Sequence, residues 1–241
     1  MKVGSVNIAT GTKLRLEERT AQNKLEVAMH KRCLQLTVPD DELRNAFTEL
    51  RKTSIQKLPQ ESITVKPGGV VGDRHFEPDV IRKHNDGNFY NVSVYNQVSL
   101  LSKERYNELN NFYNKNIQAG QFGENIQTEG IERLEGLSQG TILQFGDTAQ
   151  IKITHLRTYC YKFANVLFPT VEEFFYWKKH AMGRPIDRIG VIGQVVAEGT
   201  IHAGDNITIV FQPTNYSKLG YVQRPHGLAS KTLCNTLKDL Q

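Results

Sequence analysis

Gln150-Ile151-Lys152-Ile153-Thr154-His155-Leu156-Arg157-Thr158-Tyr159-Cys160 is the segment that most clearly indicates the fold of this chain. Polar and apolar side chains alternate from Gln150 to Thr154, which predicts a β-strand with one buried face. Short turns at Gly140 and Gly146-Asp147 precede this strand, and a Glu198-Gly199 turn separates two later strands. Strands joined by short glycine turns are typical of an antiparallel barrel or sandwich. The sequence therefore predicts a mainly β chain.

The same segment ends in a candidate reactive cysteine. Cys160 has Arg157 and Lys162 within three residues of it. Nearby positive charge favours the thiolate, the form that attacks sulfur and ligates soft metals. Free cysteines are also commonly buried as small apolar residues. Taken alone, the segment favours the buried cysteine over the reactive one.

Two glycine-containing segments upstream carry further candidate site residues. Residues 66–76 place three glycines directly before Arg74 and His75, a planar donor fork and an imidazole that both suit an anion. A charged surface turn explains this segment equally well. Residues 120–126 form a glycine-bracketed loop that carries Glu124 and Asn125. Buried polar groups need partners, so these two side chains either pin the loop or face a ligand, and pinning is favoured.

Three segments have helical patterns that predict packing against a core. Residues 40–58 begin with an acidic first turn and carry apolar residues at helical spacing. Residues 100–117 form an amphipathic pattern, with Ser99 or Ser102 as the N-cap. Its apolar stripe is Leu109, Phe112, Tyr113 and Ile117. A third helix begins near Thr170-Val171-Glu172-Glu173, which has capping-box spacing.

Composition places the chain among ordinary soluble globular proteins. It has 241 residues, of which 39% are hydrophobic and 23% charged. No apolar run reaches membrane-spanning length and no secretory signal begins the chain, so no membrane association is expected. The three cysteines are far apart and form no CxxC pair. This spacing argues against a disulfide framework and favours a reducing cytoplasm.

The basic charge balance is modest. The formal net charge is +5 and the isoelectric point is about 9.0. This balance permits contact with nucleic acid or with an anionic small molecule. The basic residues form no dense tract, so a mixed solvated surface is favoured and no nucleic-acid partner is expected.

These segments occur in an order that resembles a known family. The chain resembles the MOSC domain, named after the C-terminal domain of the molybdenum cofactor sulfurase, in its stand-alone bacterial form. Each matching segment is short, but the ordered set extends from about residue 66 to 210. The segments are Gly69-Val70-Val71-Gly72-Asp73-Arg74-His75, Asn96-Gln97-Val98-Ser99-Leu100-Leu101 with Glu104, Gly123-Glu124-Asn125, Gly146-Asp147, Arg157-x-x-Cys160-x-Lys162, Gly183-Arg184, Gly199-Thr200-Ile201 and Gly204-Asp205.

The resemblance implies an antiparallel β-barrel with peripheral helices. On this basis residues 66–210 form the barrel domain. Residues 1–65 supply N-terminal strands and an inserted helix that packs on the barrel, and residues 211–241 form a C-terminal extension. The pyridoxal-phosphate domain of the sulfurase is absent, because the chain is far too short to contain it.

The resemblance also implies roles for individual residues. Cys160 becomes the ligand of molybdenum in a molybdopterin-type cofactor, or the carrier of sulfur as a persulfide. The residues implied to hold the anionic cofactor or its oxo-metal centre are Arg74, His75, Arg157, Lys162 and Arg184. Glu124 and Asn125 would shape the pocket loop. A soft thiolate suits molybdenum and cationic donors suit a phosphate, so the chemistry agrees.

The function implied first is reduction of N-hydroxylated compounds, a role of some stand-alone relatives. The partners would be a small-molecule substrate and an external electron donor, since no flavin, haem or iron–sulfur motif is visible. One alternative is a sulfur carrier supplied by a sulfur donor protein. A second alternative is a cofactor-binding module without catalysis. A zinc site of Cys160 with His155 or His75 is a weaker hypothesis, because the ligand spacing matches no recognised pattern.

Overall fold

The computed structural model describes residues 1–9, 56–76, 81–83, 89–91, 97–157, 166–173 and 189–220, with single helical positions at 41, 44, 45 and 48. Cys160, Lys162 and Arg184 lie outside these residues, as do most of the predicted 40–58 helix and the tail from residue 221. Within the described part, no helix is long and apolar enough to cross a membrane.

The described chain is mainly β, as predicted. The strands are β1 (Lys2–Ile8), β2 (Leu58–Gln60), β3 (Ser62–Lys66), β4 (Gly69–Val70), β5 (Ile81–Lys83), β6 (Phe89–Asn91), β7 (Val98–Ser102), β8 (Ile126–Glu129), β9 (Ile142–Phe145), β10 (Ala149–Leu156), β11 (Val191–Ala197), β12 (Gly199–His202) and β13 (Ile207–Phe211). Helix α1 (Lys103–Tyr113) follows β7, and a short 3₁₀ turn covers Leu134–Gly136.

Eight strands form the main sheet, in the order β13-β9-β10-β11-β7-β8-β1-β2. Strands β12, β3 and β4 form a second sheet, and β5 pairs with β6. The predicted mainly β class with peripheral helices is therefore confirmed. Among these described strands no sheet closes on itself, so the predicted barrel is not confirmed. Two backbone hydrogen bonds of 2.8 Å also bring β1 close to the start of β13. One runs from Val3 N to Asp205 O, and the other from Ile207 N to Met1 O.

One pairing differs from the predicted antiparallel arrangement. Strands β7 and β8 are parallel, with Leu100 opposite Ile126. Parallel neighbours need a long crossover, usually a helix. Helix α1 provides this crossover, because it lies between the two strands in sequence and packs against both. Sequence periodicity identifies strands but not their direction, so this pairing was not predicted.

Strand β10 has the alternation that its sequence predicts. Ala149, Ile151 and Ile153 are fully buried, whereas the residues between them are partly exposed. Their side chains join one hydrophobic core with residues of the neighbouring strands, including Leu143 and Val191. Hydrophobic burial of this face stabilises the main sheet and specifies the register of β10.

Helix α1 begins later than predicted, because Val98–Ser102 belongs to β7. The Ser102 hydroxyl accepts a hydrogen bond from Arg105 N at 3.1 Å, which confirms Ser102 as the N-cap. The helix buries Tyr106 and Leu109. The predicted stripe is wrong at Phe112, which is 50% exposed. The Thr170 hydroxyl accepts from Glu173 N at 3.1 Å, so the predicted cap there is also confirmed.

Candidate functional site

The centre of the site is the carboxylate of Asp73, whose side chain is only 2% exposed. Its Oδ2 atom accepts from Lys57 Nζ at 2.8 Å, and from Ala9 N and Asn125 Nδ2 at 3.1 Å. Its Oδ1 atom accepts from His75 N at 2.9 Å and contacts His75 Nδ1 at 3.0 Å. Five polar contacts therefore surround the two oxygens. Asp73 therefore joins its own turn to three other parts of the chain, at Ala9, Lys57 and Asn125.

The surrounding donors keep Asp73 ionised. Burial disfavours its charge, but the hydrogen bond from His75 and the charge and hydrogen bond of Lys57 outweigh this effect. The pKa of the Asp73 carboxyl is consequently held far below its usual range. Burial dominates at Lys57, whose side chain is 4% exposed, and lowers the pKa of the amine to about 8 in spite of Asp73.

A second buried carboxylate, Glu124, pins the adjoining loop. The side chain is fully buried, and its two oxygens accept from the Tyr106 hydroxyl at 2.7 Å and from Gly120 N. Burial, with the charge and hydrogen bond of Glu124 added to it, raises the pKa of Tyr106 well above its usual value. Tyr106 therefore remains a neutral donor. The contacts of Glu124 are those of a residue that pins the loop.

Asn125 connects the loop to β7 and to Asp73. Its side-chain oxygen accepts from Ser99 N at 3.2 Å and from the Ser99 hydroxyl at 3.0 Å. Its amide nitrogen donates to Asp73 and, at 3.4 Å, to Asn7 O. With 3% exposure, Asn125 is an internal bridge between these elements.

Arg157 lies at the end of β10, beside this network. Its backbone N–H donates to Gly190 O at 2.9 Å, and its Nη2 atom donates to Phe122 O. Its charge is close enough to Lys57 to lower the pKa of that amine further. The Nη1 atom is buried and has no hydrogen-bond partner in the described residues. A buried guanidinium nitrogen without a partner is costly, which favours an acceptor at this position.

Gly190 fixes the conformation of the backbone that accepts the hydrogen bond from Arg157 N. Gly190 has φ of 92°, and a Cβ atom built there would lie 2.0 Å from Leu100 O. Only glycine tolerates both the backbone angle and the close approach. Gly190 thus holds the start of β11 against β7 and presents its carbonyl to Arg157.

His75 lies at the exposed side of the network, with 54% of its side chain accessible. Because Asp73 is ionised and only accepts, the Nδ1 atom of His75 must carry the hydrogen. The hydrogen bond with Asp73 raises the pKa of His75, but partial loss of hydration and the charges of Lys57 and Arg74 outweigh it. The pKa of His75 is therefore lowered from its usual value. Arg74 is partly buried, and its N–H donates to Ala9 O at 3.3 Å.

Five of the predicted site residues belong to this network or adjoin it: Arg74, His75, Glu124, Asn125 and Arg157. Cys160 lies outside the described residues but follows Arg157 by three positions. Lys162 and Arg184 also lie outside the described residues. In the described part of the chain, no group of three or more His, Cys, Asp or Glu side chains is arranged to hold a metal.

Sequence analysis missed three important members of the network: Lys57, Asp73 and Tyr106. Asp73 lies in the glycine-rich segment 66–76, in which only Arg74 and His75 were predicted as site residues. Tyr106 precedes Leu109 by three residues, so helical spacing places it on the buried face. Lys57 has no comparable signal, because nothing in its neighbourhood distinguishes a buried lysine from an exposed one.

Comparison with known proteins supports the resemblance. The family model of the MOSC domain matches residues 72–208. The solved structure of the YuaD protein from Bacillus subtilis is 18% identical, with a TM-score of 0.54 over 86% of this chain and 93% of that one. The structure of YiiM from Geobacillus stearothermophilus is 16% identical, with a TM-score of 0.53 over 99% of this chain and 89% of that one. No curated protein matches. At these identities the two structures support the fold alone.

Proposed function

The chain belongs to the MOSC domain family, and we propose that it binds a molybdenum cofactor and uses it to reduce N-hydroxylated compounds. The observation that carries the proposal is the environment of Arg157. This cation has a buried nitrogen without a partner in the described residues, lies close to a buried lysine, and precedes Cys160 by three positions. Such a place suits an anionic ligand next to a thiolate.

The residues present fit the cofactor in charge and donor type. Arg157 offers a guanidinium fork, which matches phosphate oxygens, and Arg74 adds a second cation at the partly buried side of the network. Positive charge also stabilises the Cys160 thiolate, and thiolates are suitable ligands of a dithiolene-bound metal. Lys162 and Arg184 are further candidate cations by family resemblance. When bound, the molybdenum centre would supply the redox chemistry, with electrons from an external donor.

The protein residues have separate tasks in this proposal. Cys160 ligates the metal, and Arg157 binds the anionic part of the cofactor. Glu124 and Asn125 hold the 120–125 loop against β7 through their buried hydrogen bonds, so that Phe122 O stays in contact with Arg157. This arrangement positions the guanidinium before the cofactor binds.

We also propose that the main sheet is the wall of a β-barrel. The backbone hydrogen bonds from Val3 to Asp205 and from Ile207 to Met1 bring β1 close to the beginning of β13. These two strands stand near opposite ends of the sheet order. Curling of the sheet accounts for their approach.

The second candidate function is a sulfur carrier. In this case the Cys160 thiolate attacks the outer sulfur of a persulfide on a sulfur donor protein and releases the thiolate of the donor. The outer sulfur of the new Cys160 persulfide then passes to a nucleophilic acceptor, which leaves the Cys160 thiolate. The same positive environment favours it, because the thiolate is both the attacking and the leaving group. The cytoplasm is the expected compartment for either function.

Metal analysis with pterin fluorescence tests the proposal. The protein is produced in a host that makes the cofactor, as wild type, Cys160→Ser and Cys234→Ser, the last serving as matched control. We expect near-stoichiometric molybdenum and pterin in wild type and Cys234→Ser, and loss of molybdenum in Cys160→Ser. Reduction of an N-hydroxylated base with reduced methyl viologen should follow the metal content.

Other outcomes discriminate between the hypotheses. Loss of activity without loss of molybdenum in Cys160→Ser would favour the sulfur carrier. Bound pterin without turnover would indicate a cofactor-binding module. Absence of both molybdenum and pterin from wild type would refute a stably bound cofactor.

A further inference from the structure

The contact between Asp73 and His75 has a chemical consequence that the proposed function does not use. Asp73 is buried and its two oxygens have five polar contacts, whereas the imidazole of His75 is about half exposed. An ionised carboxylate accepts hydrogen bonds and donates none. The contact at 3.0 Å therefore requires Nδ1–H on His75. In the neutral ring this leaves the lone pair on Nε2, the nitrogen on the far side of the ring from Asp73.

We propose that Asp73 is a positioning residue that fixes His75 in its Nδ1–H form, so that Nε2 accepts and delivers a proton at the candidate site. This inference rests on the proposed function. Reduction of an N-hydroxylated compound takes up two electrons and two protons, breaks the N–O bond and yields the amine and water. The electrons come from the external donor, protonated Nε2 gives one proton to the leaving hydroxyl oxygen, and solvent supplies the second proton to the nitrogen.

Three features of the geometry support a proton-transfer role for His75. His75 is held at two points, one on its backbone and one on its ring, since both its backbone N–H and its Nδ1 atom contact Asp73 Oδ1. Asp73 is itself fixed by Lys57, Ala9 N and Asn125, so the carboxylate cannot rotate to release the ring. Half of the imidazole remains accessible for exchange of protons with solvent.

The charges around His75 suit a group that releases its proton easily. Asp73 stabilises the imidazolium, whereas Lys57 and Arg74 oppose it, and the balance lowers the pKa of His75. A lowered pKa makes the imidazolium a stronger acid, so it gives up its proton more readily once it is protonated.

The hydrogen position is measured first, on the full chain as purified. Two-bond ¹H–¹⁵N correlation spectra identify which ring nitrogen carries the hydrogen. Because the chain has seven histidines, the signals of His75 are assigned by their loss in His75→Asn. We expect Nδ1–H in the neutral ring of wild type, although free imidazole side chains in water prefer Nε2–H. Nε2–H as the main form would overturn the positioning role, and this result depends on no variant.

Asp73→Asn extends the measurement if it folds, as judged by circular dichroism. A carboxamide can donate as well as accept, so the preference for Nδ1–H should be lost. Retention of that preference would contradict a role of the Asp73 charge.

Turnover is measured next, with His75→Asn and a matched control. Asparagine keeps a donor near the position of Nδ1 and therefore the contact with Asp73, but it lacks the basic nitrogen. His202→Asn is the control, since His202 also lies beside an aspartate, at 3.6 Å from Asp205. We expect kcat to fall about 100-fold in His75→Asn with little change in KM, because general acid catalysis contributes this much or more. The His202→Asn variant should match wild type.

Cofactor content separates this inference from the proposed function. Unchanged kcat in His75→Asn, with molybdenum and pterin equal to wild type, overturns the proton-transfer role alone. Absence of molybdenum and turnover from wild type overturns the proposed function and the proton-transfer role together, and the spectra then still decide whether Asp73 positions His75.

Discussion

Replacement of Asp73 by asparagine should destabilise the protein severely, because it leaves the Lys57 ammonium buried without its partner. In wild type the two groups are 2.8 Å apart, and their side chains are 2% and 4% exposed. Removing one member of a buried ion pair costs about 3–5 kcal/mol. A typical domain has only about 5–15 kcal/mol of stability, so the variant should remain folded with a small margin.

The cost should depend on pH in a defined direction. In wild type, burial already lowers the pKa of Lys57 to about 8, against 10.5 for a free lysine. Without Asp73 that pKa falls further. The folded variant then releases the proton at lower pH than the folded wild type, while both unfolded chains keep it. The variant therefore regains stability relative to wild type as pH rises from its own Lys57 pKa towards 8. The gain is about 1.4 kcal/mol for each unit by which the Lys57 pKa of the folded variant lies below that of folded wild type.

Urea unfolding followed by circular dichroism measures this effect at pH 6 and pH 9. The difference in unfolding free energy between wild type and Asp73→Asn should be larger at pH 6. The double variant Lys57→Met/Asp73→Asn should be more stable than Asp73→Asn, because it removes the unpaired charge. A cost of Asp73→Asn below about 1 kcal/mol at pH 6, or a double variant less stable than the single one, would refute the argument.

Three further predictions concern single positions. Gly190→Ala should lower the free energy of unfolding by at least about 2 kcal/mol, because its Cβ atom would lie 2.0 Å from Leu100 O. Gly204→Ala is the control, since Gly204 has φ of 91° and no atom within 4 Å of the added Cβ, and it should cost only about 1–2 kcal/mol of backbone strain. Urea unfolding compares the two variants. Ser102→Ala should cost about 1 kcal/mol by the same assay, because helix α1 loses its N-cap, and an unchanged midpoint would contradict this role. The depressed pKa of Asp73 stabilises wild type above the unfolded value of 3.8, so stability should fall as pH drops below about 4, and thermal midpoints should show a weaker fall in Asp73→Asn.

Local patterns predicted those parts of the fold that depend on neighbours in sequence. Alternation identified β10, since its buried face repeats every second residue. The amphipathic pattern, with Ser99 or Ser102 as candidate N-cap, predicted the start of α1 within a few residues. The segments with Asp73 and Asn125 were recognised because glycine requirements and family resemblance marked them.

The interior of the site depends on tertiary contacts that no local pattern records. Lys57 meets Asp73 although 16 positions separate them, and the pairing shows in neither periodicity nor charge spacing. The sequence left two roles open for Glu124 and Asn125, which were pinning the loop and facing a ligand. Their contacts are those of residues that pin the loop. The parallel pairing of β7 and β8 likewise followed from a crossover whose path only the structure shows.

The long-range contacts of Asp73 have a consequence for the order of folding. Ala9 lies 64 positions from Asp73, and the Asn125–Asn7 contact spans 118 positions. Loop closure over such separations is entropically unfavourable, so these bonds should form after the β9–β10 hairpin, whose two strands are joined by a short turn. Substitutions in the network should then leave the folding rate nearly unchanged and accelerate unfolding instead. The residues that assemble the site would thus act mainly on the lifetime of the folded protein.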